Sequence, residues 1–349
     1  MIKTFLSLLP SLLVALFITS CTIFQPKPEP PVRPSPEPPS PPPPQIEIRT
    51  REFPDFIAVI AQSGDTFSSL ASKYLHDPSM DWLISEWNGT ASLSPGQELI
   101  IPLRAYGKGG ITTKHYQTVP VIVYHKFSKT KADLLTITES AFEEQMRFLK
   151  ENGYRVITMD EFFDFLDFKR PLPPRSVVIT IDDDYYSTYE IAFPILKKFG
   201  YPATFFIYTD LIYSGGKTLH WDLLAEMSRH GMDVQCHTKS HRNLDKRNGD
   251  ESFQEYFEAV KKELLESSEM IKKRLNKEVK YLAYPYGTTN HLVIALLKKL
   301  GYRGAFTVER GSNPFFIHSY RINRSMIFGN FNIQDFQNCL DQWSDRDLR

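Results

Sequence analysis

The chain has 349 residues, with 41 basic and 41 acidic side chains and therefore no formal net charge at pH 7. This balance argues against a nucleic-acid partner, because such partners are bound by a surface rich in basic residues. Three cysteines are too few for a disulfide framework, although Cys236 and Cys339 could pair in an oxidising compartment. The hydrophobic content of 42% is ordinary for a folded chain of one large or two modest domains.

The first residues have the pattern of an export signal. Lys3 precedes an apolar run over residues 5–18, which is short and interrupted by Pro10, and this favours a signal peptide over a membrane-spanning helix. The run ends in Ile-Thr-Ser followed by Cys21, which resembles the lipobox of bacterial lipoproteins. That resemblance implies a signal peptide over residues 1–20 and an exported protein, anchored to a membrane by acyl chains on Cys21 and facing the periplasm or cell wall. An ordinary signal peptide is the alternative.

A proline-rich segment follows the cysteine. Residues 26–44 hold 12 of the chain's 25 prolines. Such a composition cannot build a core and favours an extended polyproline conformation, which at about 3.1 Å per residue would span on the order of 60 Å. We assign residues 21–53 to a linker, which is either a stiff spacer or a disordered segment.

Residues 54–103 predict a small β-α-α-β unit. A strand is predicted over residues 57–60, a first helix after the Gly-Asp-Thr turn that begins at Gly64, a second helix over residues 80–87 and a closing strand over residues 98–101.

Four features of this unit resemble a LysM domain: the Gly-Asp-Thr turn, a Leu-Ala-x-x-Tyr helix, Asn88, and the ending from Leu93 to Pro102. That family binds N-acetylglucosamine-containing glycans such as peptidoglycan and chitin, so the resemblance implies a glycan partner. A structural module that has lost binding is the alternative.

After a connector at residues 104–117, strand-like and helix-like stretches alternate over residues 118–345, as a parallel α/β sheet or barrel requires. The β-branched run at residues 177–181 stops in three aspartates, which places carboxylates at the carboxyl end of a buried strand. A long amphipathic helix is predicted over residues 253–275. Further strands are predicted over residues 121–124, 155–158, 203–207, 233–235, 281–283 and 304–307.

Three motifs follow one another in this domain: Thr180-Ile-Asp-Asp, His237-x-x-x-His241 and Pro285-Tyr-Gly287. Each alone is weak, since each also occurs as a cap, a chance pair or a turn. In this order they resemble the polysaccharide deacetylases, the NodB homology group of carbohydrate esterase family 4. The resemblance implies a deformed (β/α) barrel and the metal-dependent hydrolysis of N-acetyl groups in peptidoglycan, poly-N-acetylglucosamine or a chitin-like polymer.

The resemblance also implies roles for individual residues. Asp183, His237 and His241 match the family's metal ligands, a donor set that suits zinc best and cobalt or nickel as alternatives. Asp182 matches the general base that takes a proton from the attacking water. The backbone N–H near Tyr286 matches the donor that stabilises the oxyanion.

Three positions depart from the family's pattern. His318 only loosely matches the late Leu-x-His motif, so it is either the proton donor to the leaving amine or a surface histidine. Asp184 stands where a glycine is usual, and we expect a left-handed backbone and an extra charge there. Ala283 stands where an arginine normally orients the base, and Arg321 and Arg324 are candidates to replace it.

Two other functions remain open at this point. The first is an inactive glycan-binding lipoprotein, which Asp184 and Ala283 favour and the intact Asp182, Asp183 and histidine pair oppose. The second is hydrolysis of O-acetyl esters in xylan or another glycan by the same site.

Overall fold

The structure is a computed structural model, in which Arg49–Arg349 form one compact unit. The predicted signal peptide, Cys21, the proline-rich segment and most of the connector lie outside the described residues. Within the described part of the chain, no helix has the length and apolar character needed to cross a bilayer. The described residues are 50–103, 110, 116–212, 217–340 and 343–344.

The amino-terminal module has three antiparallel strands and two helices. Strand β1 (Thr50–Glu52) pairs with β2 (Phe56–Ile60), which pairs with β3 (Glu98–Pro102). Between β2 and β3 lie helices α1 (Phe67–Leu75) and α2 (Asp81–Trp87), joined by a 3-10 turn. The helices occur where the sequence predicts them, but β1 lies in the predicted linker.

The module has a hydrophobic core of its own. The alternation of apolar residues in β2 and β3 turns one face of the sheet towards the two helices, and burial of that face stabilises the module. Thr66 caps α1, with its side chain accepting a hydrogen bond from the Ser69 N–H. The buried apolar residues of this core are Ile57, Val59, Ala61, Leu70, Ala71, Ile84, Leu99 and Ile101.

The larger domain is a curled, mainly parallel sheet surrounded by helices, which confirms the predicted α/β barrel. Its strands are β4 (Tyr116–Tyr124), β5 (Lys126–Ser128), β6 (Thr136–Thr138), β7 (Arg155–Val156), β8 (Ser176–Asp182), β9 (Thr204–Ile207), β10 (Asp233–Cys236), β11 (Tyr281–Ala283), β12 (Gly304–Phe306), β13 (Ser312–Pro314), β14 (Ser325–Met326) and β15 (Trp343–Ser344). Its helices are α3 (Glu139–Glu151), α4 (Met159–Leu166), α5 (Phe193–Phe199), α6 (Trp221–Arg229), α7 (Phe253–Leu275), α8 (His291–Lys299) and α9 (Ile333–Gln337).

The segment at residues 322–326 closes this sheet into a barrel. The parallel order runs from β12 through β11, β10, β9 and β8 to β4. Phe306 of β12 pairs with Ile322, while Ser325–Met326 pairs with β4 on its free side. The segment therefore bridges the two edges, and the carboxyl ends of the strands converge on one mouth, where α/β barrels carry their functional groups.

Two predicted elements need correction. The strand predicted over residues 155–158 is only Arg155–Val156, because the Thr158 side chain accepts a hydrogen bond from Glu161 N–H and starts α4. The strand predicted from residue 121 begins earlier, at Tyr116, inside the predicted connector. Cys236 and Cys339 are both buried and form no disulfide with each other, so the suggested pairing is absent from the described structure.

Two arginines of the barrel contact the amino-terminal module. Arg155 donates from Nη1 to Asp81 Oδ1 at 2.6 Å, and Arg170 donates from Nη2 to Ser79 Oγ at 2.7 Å. Arg155 opens β7 and is paired with Ser176 at the start of β8. The module is thus seated at the amino ends of the strands.

Candidate active site

Three predicted ligands come together at the mouth of the barrel. Asp183 follows β8, and His237 and His241 lie in the turn after β10. Asp183 Oδ1 is 3.8 Å from His237 Nε2 and 3.8 Å from His241 Nε2. The ligand atoms of all three lie within 4.8 Å of one another, so a single ion could contact all three side chains.

His237 is held in the tautomer that a metal ligand needs. Its Nδ1 lies 2.7 Å from the carbonyl oxygen of Ala283, and because a carbonyl only accepts, Nδ1 carries the hydrogen. The Nε2 lone pair is thereby directed to the cluster. Burial lowers the pKa of His237 to about 4, so the imidazole is neutral at pH 7.

The turn that carries the two histidines is held in place by hydrogen bonds to Glu263. This side chain on α7 is only 8% exposed. It accepts hydrogen bonds from the Lys239 N–H at 2.9 Å, the Ser240 N–H at 2.8 Å and the Ser240 hydroxyl at 2.7 Å. Thr238 and His241 have positive φ angles of 73° and 62°, which residues other than glycine rarely adopt. The hydrogen bonds to Glu263 therefore stabilise an unfavourable backbone conformation in this turn. Sequence reasoning missed Glu263, which reads as one more polar residue of an amphipathic helix.

The electrostatics of Asp183 fit a cation. Burial, followed by the charge of Asp182, raises the pKa of Asp183 to about 7. A dication beside the carboxylate would reverse that shift and hold it ionised. One carboxylate and two neutral imidazoles form a donor set that suits a divalent transition metal.

Asp182 lies next to the ligand Asp183 in the chain, and both of its carboxylate oxygens are paired with Arg324. The Nη1 and Nη2 atoms of Arg324 donate to Oδ1 and Oδ2 of Asp182, both at 2.7 Å. Burial would raise the pKa of Asp182, but Arg324 and then His237 outweigh it and the pKa is lowered. Arg324, on the closing segment, thus replaces the arginine missing at Ala283, and Arg321 does not.

The left-handed backbone expected at Asp184 occurs one residue earlier. The residue with the left-handed backbone is Asp183, at φ 70°, while the Asp184 side chain is completely buried. Its Oδ2 accepts a hydrogen bond from Tyr208 N–H at 3.2 Å. Burial and then Asp183 raise the pKa of Asp184 well above its usual range, which favours the neutral acid.

Tyr286 lies at the rim of the cluster. Its ring centroid is 4.9 Å from that of His241, and its backbone is left-handed at φ 60°. The next residue must be glycine, because a Cβ on Gly287 would come within 2.3 Å of the Val308 side chain. This tight turn brings the Tyr286 backbone to the mouth, as the oxyanion assignment requires.

The structure does not bring His318 to the cluster. His318 is exposed and precedes the closing segment, beside Ser319, whose carbonyl accepts from Ala305 at the amino side of the barrel. His125, to which the sequence assigned no role in the reaction, follows β4 at the mouth instead. Burial lowers the pKa of His125, with further influence from Asp182, Arg324 and His241. Its Nδ1 is buried without a hydrogen-bond partner among the described residues.

The barrel and its mouth define a class of protein: a hydrolase with a carboxylate-histidine cluster and a separate buried carboxylate beside it. Comparison with family models agrees, since the polysaccharide deacetylase model matches residues 169–305 and the LysM domain model matches residues 59–102.

Known relatives support the same class. The chain is 30% identical over 228 residues to the poly-beta-1,6-N-acetyl-D-glucosamine N-deacetylase of Staphylococcus aureus strain MRSA252, which covers 63% of this chain and 76% of the relative. The Streptococcus pyogenes deacetylase PplD, solved in complex with acetate, superposes with a TM-score of 0.59 at 24% identity, over 64% of this chain and 98% of its own. IcaB from Ammonifex degensii superposes with a TM-score of 0.56 at 22% identity, over 64% and 96%. The chain therefore belongs to the polysaccharide deacetylase family, and it is a hydrolase of the polysaccharide N-deacetylase class.

Proposed function

We propose that this protein is a zinc-dependent enzyme that removes acetyl groups from N-acetylglucosamine units of a bacterial polysaccharide. The observation that carries the proposal is the convergence of Asp183, His237 and His241 beside the clamped Asp182. The Staphylococcus aureus relative is named for N-deacetylation of poly-beta-1,6-N-acetyl-D-glucosamine, which makes that polymer the first substrate to test.

Asp183 and the two histidines would hold the metal, and Asp182 would move the first proton. A divalent cation in such a site supplies Lewis acidity, which lowers the pKa of water and polarises a carbonyl. Asp182 stays ionised because Arg324 is paired with it, so one of its oxygens can accept the proton of the attacking water. The Tyr286 N–H would donate to the oxygen that becomes negative when water adds to the acetyl carbon.

The amine that leaves needs a proton, and we assign its delivery to His125. The imidazole lies at the mouth, interacts electrostatically with Asp182, and has a buried Nδ1 without a partner among the described residues. Its lowered pKa keeps it neutral between turnovers, so it can receive the proton that Asp182 has taken from water and give it to the amine as the C–N bond breaks. The products are acetate and a glucosamine unit.

Purified protein tests the proposal directly. Its metal content is measured first, and acetate and free amine are then followed on poly-β-1,6-N-acetylglucosamine, peptidoglycan, chitooligosaccharide and acetylated xylan. We expect bound zinc and release of both products from at least one N-acetylated polymer, with loss of activity on chelation. Release from xylan alone would replace the proposal with O-acetyl ester hydrolysis, and no release at all would favour an inactive glycan-binding protein.

The pairing of Arg324 with Asp182 counts against the inactive alternative. That alternative drew support from Ala283 and Asp184. The bidentate pairing of Arg324 with Asp182 supplies the contact that Ala283 cannot make, and burial raises the pKa of Asp184, which disfavours an extra charge there.

We also propose that the protein is exported and lipid-anchored through Cys21. Support comes from the apolar run that ends at this cysteine. Cys21→Ser should abolish incorporation of labelled palmitate and release the protein from the membrane fraction. A variant that keeps its label would disprove the anchor and leave the proposed catalytic activity untouched.

A further inference from the structure

A cleft of about 800 Å³ opens beside the metal cluster, within the size range of ligand sites. It is lined by the chain after β4, the turn after β8, residues near Tyr208, and Lys217 and Thr218. Tyr208 joins the cleft to the cluster, because its ring centroid lies 5.1 Å from that of His241. A polymer whose acetyl group reaches the cluster has room in this cleft for a neighbouring sugar.

The charged residues that line the cleft are mostly basic. They are Lys126, Lys129, Lys217 and Glu190. Glu190 forms an ion pair with Lys129, whose Nζ lies 2.7 Å from Glu190 Oε1. Lys126 lies over the ring of Tyr185, with Nζ 5.3 Å from the ring centroid, and this contact keeps its charge at the cleft wall. The lining therefore has two positive charges in excess, from Lys126 and Lys217.

This charge matters because the proposed reaction changes the charge of its substrate. N-acetylglucosamine is neutral, whereas glucosamine is protonated near neutral pH once hydrolysis has broken the C–N bond and the amine has taken up a proton. Two ammonium groups about 8 Å from a third would disfavour its binding roughly tenfold, once both the effective dielectric of a protein surface and salt screening over about one Debye length are included. An acetylated neighbour meets no such repulsion.

We propose that the cleft is a subsite for the sugar next to the reacting one, and that Lys126 and Lys217 make it select a neutral, N-acetylated sugar and reject a glucosamine. This inference rests on the proposed function and adds a prediction about the pattern of acetylated and deacetylated sugars in the product. The enzyme acts where the neighbour in the cleft is still acetylated, so it leaves isolated glucosamines separated by acetylated sugars instead of continuous deacetylated runs.

Hexasaccharides of defined acetylation test the rule. The full chain is assayed on β-1,6- and β-1,4-linked N-acetylglucosamine hexamers, fully acetylated or with one glucosamine at a known position. Acetate release gives kcat/KM, and tandem mass spectrometry locates each new amine. We expect kcat/KM for the sugar whose neighbour in the cleft is the glucosamine to be about tenfold lower than for the same sugar in the fully acetylated hexamer. This difference should become smaller as the salt concentration is raised.

The lysines are tested with a matched control. In the double variant Lys126→Gln/Lys217→Gln, the ratio between acetylated and amine-bearing substrates should fall below about threefold. Lys131→Gln removes an exposed charge outside the lining and should leave the ratio unchanged. A wild-type protein that deacetylates all hexamers equally, or a double variant that keeps the full ratio, overturns the inference alone. Failure to release acetate from any hexamer or polymer overturns the proposed function.

Discussion

Arg324 and Asp182 are separated by 142 residues in the chain, yet the guanidinium of one contacts both carboxylate oxygens of the other in the barrel interior. Arg324 is also fixed by its own neighbours, since Nε donates to the Thr307 carbonyl at 2.8 Å. The side chain is completely buried and the carboxylate is 2% exposed, so the two charges depend on each other for compensation.

We predict that Arg324→Met lowers the free energy of unfolding by about 3–5 kcal/mol, because Asp182 is left as an uncompensated buried charge. Adding Asp182→Asn should recover part of this loss, since the remaining groups are then uncharged. Denaturant titration of the single and double variants measures both effects, with Arg321→Met as the control. If the double variant is no more stable than Arg324→Met, the two residues are not paired as described.

The adjacent aspartates should separate metal binding from proton transfer. Asp183→Asn should empty the site, because an amide is a poor ligand for a dication. Asp182→Asn should keep most of the metal and lose roughly 10²- to 10⁴-fold in rate. Metal content and acetate release are measured on both, with His237→Ala as the metal-loss control. Near-normal turnover in Asp182→Asn would refute its role as base.

Glu263→Gln should weaken metal binding about 10- to 100-fold, the usual effect of removing a group that orients ligands. The amide NH₂ cannot accept the hydrogen bonds that Lys239 and Ser240 now donate to the carboxylate. Competition with a chelator gives the affinity. Glu266→Gln is a suitable control, since Glu266 lies on the same helix with its side chain 44% exposed. Equal affinities in the two variants would show that Glu263 does not position the turn.

The LysM module should fold alone and bind glycan. Residues 50–103 include β1 and the whole of the module's own hydrophobic core. A fragment of this length is expected to show a cooperative thermal transition and to sediment with insoluble peptidoglycan or chitin. A folded fragment that stays in the supernatant would reduce the module to a structural role.

The sequence predicted the fold and the metal cluster because both depend on local patterns. Alternating strands and helices predict the barrel, and carboxylates or histidines directly after strands predict the mouth. Arg324, Glu263 and His125 depend on tertiary contacts instead. The sequence could not distinguish Arg324 from Arg321 as the partner of Asp182, because the closure of the barrel decides which of the two side chains enters the interior. His318 was left open between a proton donor and a surface histidine, because a motif near the end of the chain does not reveal which end of the strands it reaches.

The contacts of Arg155 and Arg170 with the LysM module have a consequence for how the enzyme meets its polymer. They lie at the amino ends of strands whose carboxyl ends hold the metal cluster, and the seven residues from Ser176 to Asp182 put about 20 Å between the two ends. If the module binds glycan, a strand attached at this end of the sheet would have to cross that distance to enter the mouth. The catalytic mouth would then meet a second strand more readily than the attached one, and its reach would depend on how densely the strands are packed around it.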